Sequence, residues 1–245
     1  MKKISQSIKY LIAISIVFII ILSILIFKSL YEFHVTHNIH PDFNKVDIKN
    51  VDKLMIVAHP DDDILWGGAH LIEDDYLVVC VTCGVVRERV LEFNKVMHAT
   101  NDKYIMLGYP DKTNGKRDNW NSVYKDITKD LKEIIELKDW DLIVTHNPEG
   151  EYGHQHHKMT NAIVTSVTTN KDKLYYFGHY YNKETIKSHY SELKPMSDDL
   201  LEKKKKYIWM YESQYFIRTM FNQMFPYENW LSYEEWNSEV NEEAN

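Results

Sequence analysis

Lys53-Leu54-Met55-Ile56-Val57-Ala58-His59-Pro60-Asp61-Asp62-Asp63 runs from an apolar, strand-like stretch straight into a histidine and three carboxylates. A second apolar run, Leu142-Ile143-Val144-Thr145, is followed within a few residues by Gly150-Glu151-Tyr152-Gly153-His154-Gln155-His156-His157. Short continuous apolar runs bounded by turn residues read as strands buried on both faces. Lys53 to Ala58, Leu77 to Thr82, Tyr104 to Leu107, Leu142 to Thr145 and Leu174 to Phe177 fit that pattern. Between them, Arg87 to Ala99 and Ser122 to Leu137 read as helices; in the second, Val123, Ile127, Leu131 and Ile134 recur at spacings of four and three. The alternation predicts an α/β fold: three-layer and Rossmann-like, a mainly parallel sheet with helices on both faces.

The chain of 245 residues is 44% hydrophobic, enough for one sizeable domain and a tail. A formal charge of −7 leaves no basic field, and Lys203 to Lys206 read as the opening of an amphipathic helix, so nucleic acid is excluded as a partner class. From Leu11 to Phe27 only Ser15 and Ser23 are polar, with Lys2, Lys3 and Lys9 ahead of the run and Lys28 behind it. About 20 such residues span a bilayer, and the long, bulky run reads as an uncleaved signal anchor rather than a cleaved signal peptide. The leading lysines place the tail in the cytoplasm and residues 31–245 outside it, a single-pass membrane protein with an extracytoplasmic domain. The expected organisation is therefore a tail and transmembrane helix over 1–30, a linker over 31–50 and one domain over 51–245 with an acidic, aromatic C-terminal extension. In the linker, His34, His37 and His40 read as solvated residues. Cys80 and Cys83 lie three apart near the end of a strand-like run, which suits neither a disulfide nor joint metal binding. Trp230, Tyr233 and Trp236 are expected to form one helical face packed on the domain, with a sugar-stacking surface as the alternative.

In a parallel sheet, ligands collect beyond the carboxyl ends of the strands, where both quoted segments sit. Asp61 to Asp63 after Pro60 also make an ordinary acidic helix start, but that leaves His59 and the second cluster unexplained. His154 and His157, three apart, share one face of a helix opening at Gly153, with His156 pointing elsewhere. His59, Asp62 and His157 together make a two-histidine, one-carboxylate set, the kind that leaves zinc a position for water.

Ala58-His59-Pro60-Asp61-Asp62 and Gly153-His154-x-x-His157 resemble the LmbE-like or PIG-L family of zinc-dependent N-deacetylases. Arg89 with Glu92, Gly108-Tyr109-Pro110-Asp111 and Ser213-Gln214 support the resemblance, which covers Val51 to Gln214. It implies Zn2+ on His59, Asp62 and His157, Asp61 as general base, and a cationic His154 steadying the oxyanion or protonating the leaving amine, with bell-shaped pH dependence. It implies substrate contacts from Arg89 and Asp111, for which a structural ion pair or turn is the equal alternative, and from Tyr152 as a further oxyanion donor. The implied substrate is an N-acetylglucosamine-containing glycolipid or glycan. A catalytically silent carbohydrate-binding protein and an amidase for another glycoside conjugate are the alternatives. Two residues depart from the family pattern. Asp63 stands where glutamate is usual, and His156 often has an aspartate in its place, which deprives His154 of an acidic partner.

Overall fold

The computed structural model describes residues 5–38 and 42–243, and the side chains of 5–30, 42–43 and 45–239. His40 and the side chains of His34 and His37 lie outside this set. The first helix, α1 (Gln6–Asn38), continues past Leu30 into the stretch read as a linker, and Phe43 within that stretch is buried in the core. The Gln6–Leu30 part of α1 is long and apolar enough to cross a membrane, and no residue of its apolar window is buried. At 1.5 Å per residue its 25 residues reach about 37 Å, more than a hydrocarbon core of roughly 30 Å requires. Within it Ser23 donates its hydroxyl to the Ile19 carbonyl at 2.8 Å, so that polar atom keeps a partner inside the helix.

The domain alternates β1 (Lys53–Val57), α2 (Asp62–Glu73), β2 (Tyr76–Thr82), α3 (Arg87–Thr100) and β3 (Lys103–Tyr109). A hairpin follows, β4 (Lys112–Thr113) and β5 (Lys116–Arg117), then α4 (Tyr124–Ile135), β6 (Leu142–Thr145), α5 (Gln155–Val167) and β7 (Leu174–Tyr176). The chain ends with α6 (Asp198–Ile208), the single turn α7 (Ile217–Met220), β8 (Leu231–Ser232) and α8 (Tyr233–Glu243). The main sheet has the order β3-β2-β1-β6-β7-β8, parallel except for β8, which pairs antiparallel to β7 at the edge.

Alternate strand residues feed two cores, as the pleat requires. Leu54, Ile56, Leu77, Val79 and Val81 meet Ile127, Leu131 and Ile134 of α4 and Ile163 and Val164 of α5. Met55, Val57, Val78 and Cys80 meet Ile64 and Leu65 of α2, Phe93 and Val96 of α3, and Ile208 of α6. Helices therefore cover both faces and the fold is the three-layer α/β arrangement. The chain builds outward from β1 to β3 on one side, then returns to place β6 on the other side of β1. That reversal is a topological switch point, and it sets the segments after β1 and β6 side by side.

Three expectations change in detail. Of the C-terminal aromatic residues, Tyr233 and Trp236 of α8 share a face that packs on one core against Tyr176, whereas Trp230 precedes β8 and packs with the other core. Lys203 to Lys206 lie inside α6 rather than at its start, and Lys204 turns inward, fully buried. Cys83 follows β2 in a left-handed conformation, φ 67°, and both cysteines are buried free thiols.

Candidate active site

Pro60 and Asp61 form a turn ahead of α2, and Asp61 has φ 123°, a backbone region that side chains rarely occupy. Three neighbours hold it there. The Asp61 N–H donates to Asp63 Oδ1 at 2.9 Å, and Asp63 is itself fixed by the Tyr211 hydroxyl at 2.8 and 2.9 Å. Arg89 donates to the Pro60 carbonyl and sits 3.6 Å from Asp61 Oδ1, anchored in turn by Glu92 and Ser213. Asp63 thus performs its duty with the shorter side chain, and Arg89 positions Asp61 while lining the cavity described below. Burial, only partly offset by Arg89, raises Asp61 to about 7, where a carboxylate can both take and return a proton.

His157, one turn into α5, is fully buried, and its Nδ1 meets Glu151 Oε2. The same Glu151 oxygen accepts from His146 Nδ1 at 3.0 Å, and the other oxygen accepts from the Asn147 N–H at 2.9 Å. Glu151 thereby fixes the proton on Nδ1 of His157 and turns the Nε2 lone pair inward, where it is buried without a hydrogen-bond partner, 3.2 Å from Asp62 Oδ2. His146 is built differently. Its Nε2 accepts from the Ala58 N–H at 2.9 Å, so its lone pair is spent tying β6 to β1 and is not offered to a metal.

A relay of three groups sets His59. His156 Nε2 donates to the Asp118 carbonyl at 2.7 Å and its ring stacks on Trp120 at 4.2 Å, leaving Nδ1 as an acceptor. That acceptor meets His59 Nε2 at 3.0 Å, so His59 carries its proton there and keeps its Nδ1 lone pair, 3.2 Å from Asp62 Oδ2. Donors about 2.0–2.2 Å from one zinc ion in a tetrahedron stand about 3.3 Å apart. His59 Nδ1, Asp62 Oδ2 and His157 Nε2 meet that spacing in both measured pairs, with no proton required between them. Among the described residues, ligand atoms lie within 4.8 Å of one another in three groups, His59–His154–His157, His59–Asp111–His156 and Asp62–His146–His157, so His59, Asp62 and His157 belong to a cluster able to hold a divalent cation, with Asp62 between the two histidines. Burial works against charge on His157, yet Asp62 and Glu151 push it up to about 10.

His154 caps α5 instead of lying within it, its Nδ1 accepting the His156 N–H at 3.2 Å. The remaining proton is on Nε2. Burial, with His157 and His59 beside it, lowers His154 to about 2, which favours the neutral imidazole over the cation expected, and among the described residues no carboxylate bonds to it. His156 does not point elsewhere, since its ring faces His59. Asp111 faces His59 Nε2 at 3.5 Å and His156 Nδ1 at 3.7 Å; burial opposes its charge, but those histidines and Lys112 hold it at about 2. Tyr152 is half-exposed, with its ring 5.4 Å from His157 and 5.7 Å from His154.

His59, Asp61, Arg89, Asp111, Tyr152 and His154 all line one cavity of about 670 Å³, while Asp62 and His157 lie buried behind it. Val86, Phe216 and Met220 form an apolar part of its wall. Glu151, His146, Asp118 and Trp120 are the site residues that sequence reasoning did not single out. A glutamate between two glycines reads as a turn, and the other three reveal themselves only through contacts distant in the chain.

Sheet order, switch point and histidine–carboxylate cluster define a three-layer α/β protein with a candidate metal centre at the switch point. The family description "PIG-L: GlcNAc-PI de-N-acetylase" matches residues 54–168. Protein L374 of Acanthamoeba polyphaga mimivirus is 32% identical over an alignment of 180 residues, with 64% of this chain and 76% of that protein covered. The chain belongs to the PIG-L family. Solved structures share the fold: a deacetylase of teicoplanin biosynthesis at 15% identity, TM-score 0.52, covers 68% of this chain and 86% of its own. The A40926 pseudoaglycone deacetylase Dbv21 is 15% identical with TM-score 0.51, covering 70% and 85%. GalB, a 4-carboxy-2-hydroxymuconate hydratase of Pseudomonas putida KT2440, is 12% identical with TM-score 0.50, covering 71% and 84%. Likeness at these identities establishes the fold alone, and a hydratase among them leaves the reaction to be argued from the site.

Proposed function

We propose that the protein is a zinc-dependent N-deacetylase, anchored in a membrane by α1, that removes acetyl from an N-acetylglucosamine unit of a glycolipid or glycan. The observation that carries this reading is the convergence of the His59, Asp62 and His157 donor atoms beside Asp61 at the cavity. Zinc held by these three would supply a Lewis acid for the acetamide and a water acidified to about pH 7. Asp61, aimed by Asp63 and Arg89, takes a proton from the attacking water. His154 donates its Nε2 proton, as a hydrogen bond, to the carbonyl oxygen as negative charge gathers there; a neutral imidazole suffices for that task. The Tyr152 hydroxyl is a second candidate donor. Asp61 then returns its proton to the departing amine, releasing acetate and the free amino sugar. Asp111 and the exposed part of the cavity wall are available for sugar hydroxyls.

A backbone held at φ 123° costs on the order of 1–3 kcal/mol and persists where it serves a purpose. Asp61 bears that strain, which argues against a silent carbohydrate-binding protein. The apolar wall at Val86, Phe216 and Met220 favours an amphiphilic substrate, and it equally suits an amidase acting on another glycoside with an apolar aglycone.

The test compares the full-length protein with Asp61→Asn in a neutral, sugar-free detergent. Both should retain about one metal equivalent, and the variant should lose a factor of roughly 10²–10⁴ in acetate release from N-acetylglucosamine glycosides or N-acetylglucosaminyl phosphatidylinositol. Metal without acetate from either form would favour the binding-protein reading. Absence of metal would overturn the site.

A further inference from the structure

The domain gathers its exposed apolar surface in one place. Outside α1, most of the large hydrophobic side chains that the described residues leave in water stand around the mouth of the cavity. Val86, Tyr152, Phe216 and Met220 line it, and Tyr215 and Trp209 adjoin them. Tyr215 is 71% exposed and Trp209 57%. The Met220 N–H donates to the Phe216 carbonyl at 3.0 Å, one turn back, and the Tyr215 ring stands 6.5 Å from that of Phe216. Arg218 carries the patch on to Trp209: its guanidinium sits 4.3 Å from the centre of the indole ring and donates to the Trp209 carbonyl at 3.0 Å. The same segment sends Ile217 and Phe221 into the core, so the outward rings are not the ones that hold it down. A contiguous exposed patch of this kind marks an interaction surface.

The chemistry of the patch suits a lipid surface. Tryptophan and tyrosine settle at the level of the headgroups, where one end of the ring is apolar and the other wet. Cations accompany them, Arg218 on the indole, Lys206 exposed three residues before Trp209, and Arg87 at the cavity mouth. Glu212, the acid of the same segment, pairs with Lys95 of α3 at 3.6 Å. In a chain of net charge −7 this rim is a local exception, complementary to an anionic leaflet. The helix supplies the proximity. α1 runs unbroken to Asn38, eight residues past the end of its apolar window, and meets β3, the strand that leads into Pro110 and Asp111 of the cavity. Eight helical residues span about 12 Å, so the domain is delivered to the bilayer surface with little slack.

We propose that Trp209, Tyr215, Phe216 and Met220 dip into the lipid interface and hold the cavity mouth against the bilayer, a second attachment beside α1. The inference rests on the anchored reading of α1 and is independent of the reaction at Asp61. A spanning helix sets how far the domain can stray from the membrane, whereas the patch sets which face looks at it.

The test reconstitutes the full-length chain in vesicles whose lipid tails carry bromine at a shallow position. An environment-sensitive fluorophore is attached at Tyr215→Cys or Trp209→Cys and, as reference, at Lys129→Cys, exposed on α4 across the sheet from the patch. Cys80 and Cys83 are buried, and wild type taken through the same labelling supplies the blank. At 215 and 209 the emission should shift to the blue and be quenched by brominated lipid, while at 129 it should stay as in water. Flotation of the same samples with the vesicles reads the anchor separately. Flotation without quenching at 215 and 209, or with equal quenching at 129, would overturn the docking face and leave the anchor standing. Quenching at 215 and 209 in chains that high salt strips from the vesicles would keep the face and remove the spanning helix. Chains that neither float nor show quenching would remove both. A blue shift that grows with protein concentration and is indifferent to bromine would give the patch to a second copy of this chain and overturn lipid as its occupant.

Discussion

Asp118 touches none of the candidate ligands, yet its carbonyl decides which nitrogen of His59 bears a proton, because His156 stands between them with only one nitrogen free to accept. His156 is therefore a positioning residue. Outer partners of this kind are worth roughly 10–100-fold in metal affinity. His156→Ala should weaken metal binding by that factor in a chelator competition, with little change in circular dichroism. His156→Asn, whose Oδ1 stands near the place of Nδ1, should recover most of the loss, and failure of the asparagine to do better than alanine would assign His156 to packing on Trp120 alone. Glu151 acts in the same way on His157, and Glu151→Gln, which can serve one imidazole N–H but not shape the charge of both, should also release metal more readily. The spacing of His59, Asp62, His154 and His157 was legible in the sequence because short-range motifs record it. The relay was not, since Ala58 and His146 bond across 88 residues and His59 and His156 across 97. The same distance hid what replaces an aspartate beside His154: the backbone N–H of His156 meets that ring, while the new imidazole serves His59.

A buried ion pair reaches the backbone of α2. Lys204 donates to the Leu65 carbonyl at 2.8 Å, the Ala69 N–H goes to Glu228 Oε1 at 2.8 Å, and Lys204 and Glu228 meet at 2.6 Å. Gly68 permits this approach, since a Cβ there would lie 3.1 Å from Lys204 Cγ, while a Cβ on Gly67 would meet Met55 of β1 at 2.3 Å. α2 carries Asp62 and Asp63, so the pair ties the far elements, α6 and the segment before β8, to the helix that presents a candidate ligand. Glu228 is buried, which opposes its charge, but Lys204 and His70 lower it from 4.5 to about 2. Because the folded value is the lower one, its contribution is present above pH 4.5 and is lost as pH falls from there toward 2. Glu228→Gln should cost about 3–5 kcal/mol at neutral pH by leaving Lys204 buried without its partner. The gap between wild type and variant in denaturant melts should narrow through that acid window, and a gap independent of pH would mean that the hydrogen bonds matter rather than the charge. Helix periodicity made α3 and α4 legible to within two residues at each end. It could not mark Lys204, because a lysine inside a basic run reads as solvated, and its partner lies outside the helix.

At the scale of the whole molecule, alternating apolar runs and amphipathic helices sufficed for the three-layer sheet, because parallel strands buried on both faces have little freedom of composition. They did not reveal the β4–β5 hairpin or the antiparallel β8, since strands of two residues carry no period. The apolar helix poses a different question, for a signal sequence near the N-terminus satisfies the same length and composition as an anchor. The two readings part in bulk and in outcome. Ile19, Ile20, Ile21 and Leu22 fill the centre of a run with no small-x-small exit, and all four are exposed on the helix surface. Leaving such a surface in water is unfavourable by about 25 cal/mol per Å² of apolar area, which a bilayer removes. The expressed protein should therefore keep its full mass and remain with vesicles through high salt and alkaline carbonate. Ile19→Lys/Ile21→Lys, at roughly 2.5–3.5 kcal/mol for each central charge, should release it. Recovery of a shorter, soluble chain beginning after the run would establish cleavage instead and detach the catalytic domain from the surface. With the anchor intact, protease added outside sealed vesicles distinguishes the two orientations. Lys2, Lys3 and Lys9 on the leading side favour a domain that is digested in right-side-out vesicles and protected in inverted ones, and the reverse pattern would place the cavity, and its substrate, on the cytoplasmic face.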